Sequence, residues 1–165
     1  MLEYPQLIID KPYYKLNLIK SFFYTYELLD FDGNILDNQC TYYCEPKFTE
    51  LTGDIVKIYV QTGTGRISSQ TQYYDTRQAL ISPIYDYVLC EHGNYVAVGD
   101  LERNAVVIYD MFDNDNIISI IPLENLLITT DDPIEWASFP NNMGDIDISY
   151  RTPDGTKNIR SAILN

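Results

Sequence analysis

The chain cannot keep one direction for long. From residue 22 onward, short runs rich in Val, Ile, Tyr and Phe are cut again and again by Gly, Asn, Asp and Pro. Asp32-Gly33 and Asp154-Gly155 supply the positive φ angles that a tight hairpin requires. Strands are therefore expected at 22–30 and 35–43 around "DFDGN", and at 55–60 and 67–75 around the glycines of 63–65. Three more fall at 87–90, 95–99 and 105–110, separated by "EHGN" and "DLERN". A last set falls at 134–139, 145–151 and 158–164, with turns at Pro140-Asn141-Asn142 and Asp154-Gly155. Helical signals are weak. "PLENLLI", 122–128, is compatible with one turn behind Pro122, and "YYKLNLIKSFFY" with a helical start, but neither carries a long apolar stripe. Fifteen Tyr against six Phe and one Trp point the same way, because Tyr favours half-buried strands where the ring packs and the hydroxyl stays wet. The sequence predicts an all-β protein, an antiparallel meander of short strands, in a single domain over residues 1–165.

Charge narrows the function. Eleven Lys and Arg against 24 Asp and Glu leave a net charge of −13, a field that repels phosphate backbones and excludes nucleic acid as a partner. The acidic residues are spread along the chain, as on a solvated surface. No apolar run has the length of a membrane-spanning helix, and the N-terminus has neither a basic region nor an apolar stretch of signal length. The chain is expected to be soluble, with no membrane partner: cytoplasmic if Met1 is the native start, otherwise secreted with a leader removed. Cys40, Cys44 and Cys90 are odd in number and lack C-x-x-C spacing, so buried free thiols are expected ahead of one bridge to Cys90.

Tyr74-Asp75 and Tyr109-Asp110 end similar strands, and Tyr150 ends another, at the roughly 35- to 50-residue period of blade-like repeats. "GNYVAVGDLERNAVVIYDMFDN" and "DPIEWASFPNNMGDIDISYRTPDG" resemble blades of β-propellers of the WD40 or TolB-like kind, over about residues 54–163. "FPNNMGDI" stands where such blades carry "FSPDGKKI". The resemblance implies propeller-like blades or an open sandwich.

The stretch "DMFDNDN" looks most like chemistry. An EF-hand needs D-x-[DN]-x-[DN]-G and a Glu at the twelfth place; counting from Asp113 puts Ile118 where Gly belongs, and "DFDGNILD" has its Gly one place early. Both are expected to be turns in which Asp and Asn bond their own backbone. The one His, His92 in "EHGN", cannot build a multi-histidine metal site. No G-x-S-x-G elbow occurs, and "QTGTGRISSQ" lacks the Lys-Ser/Thr of a phosphate loop. No catalytic residue, metal ligand or cofactor is assigned. Asp75 and Asp110, at matching strand ends, are the carboxylates a glycosidase would use, or they close each repeat by bonding the neighbouring turn. Tyr73, Tyr74, Tyr85, Tyr87, Tyr95 and Trp136 are the aromatic candidates for stacking on a sugar or a protein; alternation places at least one of Tyr73 and Tyr74 in the core, and Trp136 is expected there too. The favoured reading is a non-enzymatic binding domain whose acidic, Tyr-rich surface, with Tyr74, Asp75, Tyr109, Asp110 and Trp136 as binding residues, takes a protein or glycan. The alternative is a carbohydrate-binding or glycoside-hydrolysing protein using Tyr and Asp. An open sheet edge could pair with a second copy.

Overall fold

A computed structural model describes residues 6–19, 22–38, 42–51, 54–129, 132–140 and 144–163. Strand accounts for 63% and helix for 2%, so the chain is all-β. It forms two compact units: residues up to 62 with 71–82, and residues 63–70 with all that follow 82.

In the first unit, β1 (Gln6–Asp10), β2 (Tyr14–Ile19), β3 (Phe23–Leu29) and β4 (Ile35–Asn38) form a meander in chain order. β5 (Lys47–Glu50), β6 (Ile55–Gln61), β7 (Ser69–Asp75) and β8 (Leu80–Ile81) lie side by side in a second sheet. Alternation sends Tyr14 and Leu16 of β2 and Tyr26 and Leu28 of β3 inward, where they meet Val56, Ile58 and Val60 of β6 and Tyr74 of β7. Each such side chain contributes roughly 1.5–3 kcal/mol by leaving water. The Tyr hydroxyls in this core need partners, since an unmet buried donor is costly. Tyr26 donates to Gln72 Oε1 at 2.9 Å, Gln72 Nε2 donates to the Ser82 carbonyl at 3.1 Å, and Ser82 Oγ accepts from Tyr73 N at 2.8 Å. Tyr73 and Tyr74 are both fully buried, although neighbours on a strand face opposite ways.

"YYKLNLIKSFFY" does not start as a helix. Its residues 14–19 are β2, in unbroken antiparallel register with β3 from Tyr14↔Leu28 to Ile19↔Phe23, because a strand there delivers Tyr14 and Leu16 to one face. Of the expected strand at 35–43, Ile35–Asn38 is β4, and residues 39–41 lie outside the described residues. At the β3–β4 turn, Asp30 Oδ1 accepts from Asp32 N at 2.9 Å and Asn34 N at 2.8 Å, and Oδ2 from Asn34 Nδ2 at 2.9 Å. The side-chain bond from Asn34, with the backbone donors behind it, holds the Asp30 carboxyl below the ordinary carboxylate range. A depressed folded-state pKa means stability present above the unfolded value of about 3.9 and lost as pH falls through the folded one. Carboxyl NMR titration should give Asp30 one of the lowest midpoints in the protein, and Asp30→Asn should flatten the acid limb of the unfolding curve.

In the second unit, β9 (Tyr85–Asp86) leads to β10 (Val88–His92), β11 (Tyr95–Asp100), β12 (Ala105–Asp110) and β13 (Asp113–Pro122), the last four a meander in chain order. β14 (Ile134–Ser138), β15 (Asp145–Thr152) and β16 (Gly155–Ala162) make a three-stranded sheet. Ala97, Val106, Ile108 and Ile121 from the meander share a core with Ile134, Ile146, Ile148 and Tyr150 from the other sheet. Tyr87 stitches this core: its hydroxyl donates to the Ile134 carbonyl at 3.2 Å and accepts from Ile134 N at 3.0 Å.

"PLENLLI" is not helical either. Leu123 N donates to the Asn104 carbonyl in the β11–β12 turn at 2.7 Å and Leu127 N to the Arg151 carbonyl of β15 at 2.9 Å, so this backbone is bonded to distant residues instead of along itself. The expected strand at 67–75 begins at Ser69, behind a 3-10 turn at Arg66–Ser68. Trp136, expected in the core, is 45% exposed, because a register irregularity between Ile134 and Trp136 breaks the alternation that would have turned it inward. Cys44, expected inside, is exposed, while Cys90 is half buried on β10; Cys40 lies outside the described residues. No helix among the described residues is long and apolar enough to cross a membrane.

Candidate functional site

The acidic tip at 110–116 is a hairpin with a bulge. Asp110 Oδ1 accepts from Phe112 N and Asp113 Oδ1 from Asp115 N, each at 3.1 Å, the local bonding by which short polar side chains shape turns. Asp110 pairs with Asp113 but Tyr109 with Ile117, so Asn114, Asp115 and Asn116 are pushed out of the ladder. Among the described residues no three His, Cys, Asp or Glu come together as metal ligands.

Asn114 of the bulge lines a cleft of about 410 Å³ in the second unit. Tyr85 and Tyr109 line it, with ring centres 5.7 Å apart and planes tilted by 40°. Tyr85 is anchored from below, its hydroxyl shared between the carbonyls of Asp110 at 3.0 Å and Met111 at 3.1 Å. Burial, and then the charge of Asp110, push its ionisation well above the ordinary tyrosine range, so Tyr85 is a fixed neutral ring. Three carboxylates share the cleft: Asp86 from β9, and Asp100 and Glu102 from the β11–β12 hairpin. Asp100 shapes that hairpin, accepting from Arg103 N at 3.0 Å and facing Arg103 Nε at 3.5 Å. Asp86 and Glu102 are exposed. None of the lining residues is basic. Tyr85 is 5% exposed and backs the partly exposed Tyr109 ring, so a cation is attracted by the face of Tyr109 and by the direct charge of the carboxylates; no nucleophile is paired with a base among these lining residues.

Of the residues expected from sequence, Tyr109 lines this cleft, whereas Asp110 does not, its carboxylate being turned to the Phe112 amide. Trp136 is on β14 of the same unit but does not line the cleft. Tyr74 and Asp75 belong to the other unit. Tyr74 has no exposed surface and donates its hydroxyl to the Leu29 carbonyl. Asp75 is 8% exposed, and its Oδ1 accepts from Arg77 N and Gln78 N at 2.9 Å each, which makes it a turn former. Asp86, Asp100, Glu102 and Asn114 escaped the sequence reading. One signal could have found Asp86: "YD" occurs a third time, at Tyr85-Asp86. No family model matches the sequence, and no curated protein is similar enough to count as a relative.

Proposed function

We propose that the chain is a non-enzymatic binding domain whose acidic, Tyr-lined cleft takes a cationic side chain, Lys or Arg, from a partner protein. The observation that carries this reading is the convergence of Tyr85 and Tyr109 with Asp86, Asp100 and Glu102 in a cleft with no basic lining residue. A net charge of −13 adds a long-range field that draws a basic partner in and speeds its encounter. The two four-stranded meanders, β1–β4 and β10–β13, support reading the sheets as propeller-like blades, a scaffold on which binding sites are set by loops. Calorimetry with a Gly-flanked Lys peptide at low salt should detect binding that weakens by about two- to fivefold in Tyr109→Ala, the share of one exposed cation–π contact. Glu102→Gln and added salt should weaken it further. A glycan array is the opposing arm: a sugar bound through Tyr109 while the Lys peptide stays inert would replace this reading with the carbohydrate one.

A further inference from the structure

A second cleft, of about 360 Å³, lies wholly within the first unit and has a different chemistry. Its lining joins the part-buried or buried Tyr13, Leu51 and Ile55 to three exposed charged residues, Lys11, Glu50 and Asp54. Volumes of about 300 Å³ upward are those of small-molecule sites, which join an apolar lining to a few convergent polar groups.

The walls are built before any ligand arrives. Lys11 N donates to the Tyr14 carbonyl at 3.0 Å, closing the β1–β2 turn that presents the lysine. Tyr14 stacks on Phe48 with centres 4.6 Å apart and planes within 6°, and Tyr13 meets Phe31 edge-on at 6.1 Å. The Asp54 carbonyl accepts both the backbone N and Oγ1 of Thr76, each at 2.9 Å, which ties Asp54 to the residue that follows β7. Asp54 holds a φ of +66° there, a conformation that Asp and Asn tolerate better than most residues. Lys11, Glu50 and Asp54 make no ion pair among the described residues, whereas Lys15 and Asp10 on the neighbouring strands do.

One cation and two carboxylates beside an apolar lining match a ligand with both charges and an apolar body. We infer that this cleft binds a free α-amino acid with an apolar side chain, its carboxylate on Lys11, its ammonium on Glu50 and Asp54, and its side chain against Leu51, Ile55 and Tyr13. The inference does not rest on the cationic cleft of the other unit, and the two can fail separately.

The test is an NMR titration of the full chain with L-leucine, N-acetyl-L-leucine and L-leucinamide. Leucine should shift the amides of Leu51, Ile55 and Thr76 saturably, and each analogue, lacking one charge, should bind about tenfold more weakly, the loss of one charge-assisted contact. Lys11→Gln should abolish the preference for leucine over leucinamide, and Glu50→Gln with Asp54→Asn the preference over N-acetyl-leucine. All three positions are exposed or at turns, so a dispersed amide spectrum will confirm that the variants fold. No saturable shift up to the solubility of leucine, equal affinity for the three compounds, or unchanged preferences in the variants would each overturn the inference.

Discussion

Tyr74→Ala is expected to lower folding stability by about 3–5 kcal/mol, the range for removing a large aromatic side chain from a packed core. Tyr74 has no exposed surface. It shares a buried core cluster with Tyr14, Leu16, Tyr26 and Ile58, drawn from both sheets of the unit, so its removal is expected to leave a cavity. Its hydroxyl meets the Leu29 carbonyl, and burial raises its ionisation above the ordinary value, so it stays a neutral donor. Tyr74→Phe keeps the ring and should lose only about 1 kcal/mol, the net worth of a single hydrogen bond. Urea unfolding of both variants separates ring from hydroxyl. A small effect of the Ala variant would mean that the ring is not a core residue.

Gly99→Ala should destabilise the second unit by about 3 kcal/mol, the upper part of the usual range for overpacking. A Cβ on Gly99 would stand 2.4 Å from Cδ1 and 2.5 Å from Cε1 of Tyr87, and 3.1 Å from Cδ1 of Ile134. Tyr87 cannot swing away. Its hydroxyl is bonded to both backbone polar groups of Ile134, and its carbonyl accepts from Gly99 N at 3.0 Å. The strand must give instead, and the β11–β12 hairpin that carries Asp100 and Glu102 moves with it. The double variant Tyr87→Ala, Gly99→Ala should then be less destabilised than the two single losses added together, because removing the ring removes the clash; thermal melts of the three variants check this.

What could be read from the sequence follows a physical line. β6, β11, β12 and β15 are apolar or alternating runs that end at, or within two residues of, a Gly or Asp turn, so local chemistry alone specifies them. β5, "KFTE", is short and polar, and it becomes a strand only because β6 offers a ladder from Lys47↔Tyr59 to Glu50↔Val56. β13 was hidden differently. Its opening "DNDN" has turn chemistry and is a bulge, so the strand that follows runs into a segment that looked helical. The weak helical signals at 14–19 and 122–128 gave way to bonds made outside each segment: 14–19 is laddered between the adjacent β1 and β3, and Leu123 and Leu127 donate to Asn104 and Arg151. No linker marks the passage between the units, since residues 63–70 leave the first and return within strand-forming sequence. The site shows the same limit. The Tyr-Asp pair found Tyr109, but an identical pair at 74–75 is core and turn, because a dipeptide does not encode burial. Asp86, Asp100 and Glu102 are ordinary turn acids until β9 and the β11–β12 hairpin bring them around one cleft.

The most direct measurement is an NMR titration of the isotopically labelled chain with a short Lys-bearing peptide at low and at physiological salt. Saturable shifts are expected at the amides of Tyr109, Asn114 and Glu102, weakening as salt rises and vanishing when the lysine is Nζ-acetylated. Shifts confined to other residues, or an acetylated peptide that binds as well as the charged one, would contradict the cation-binding reading.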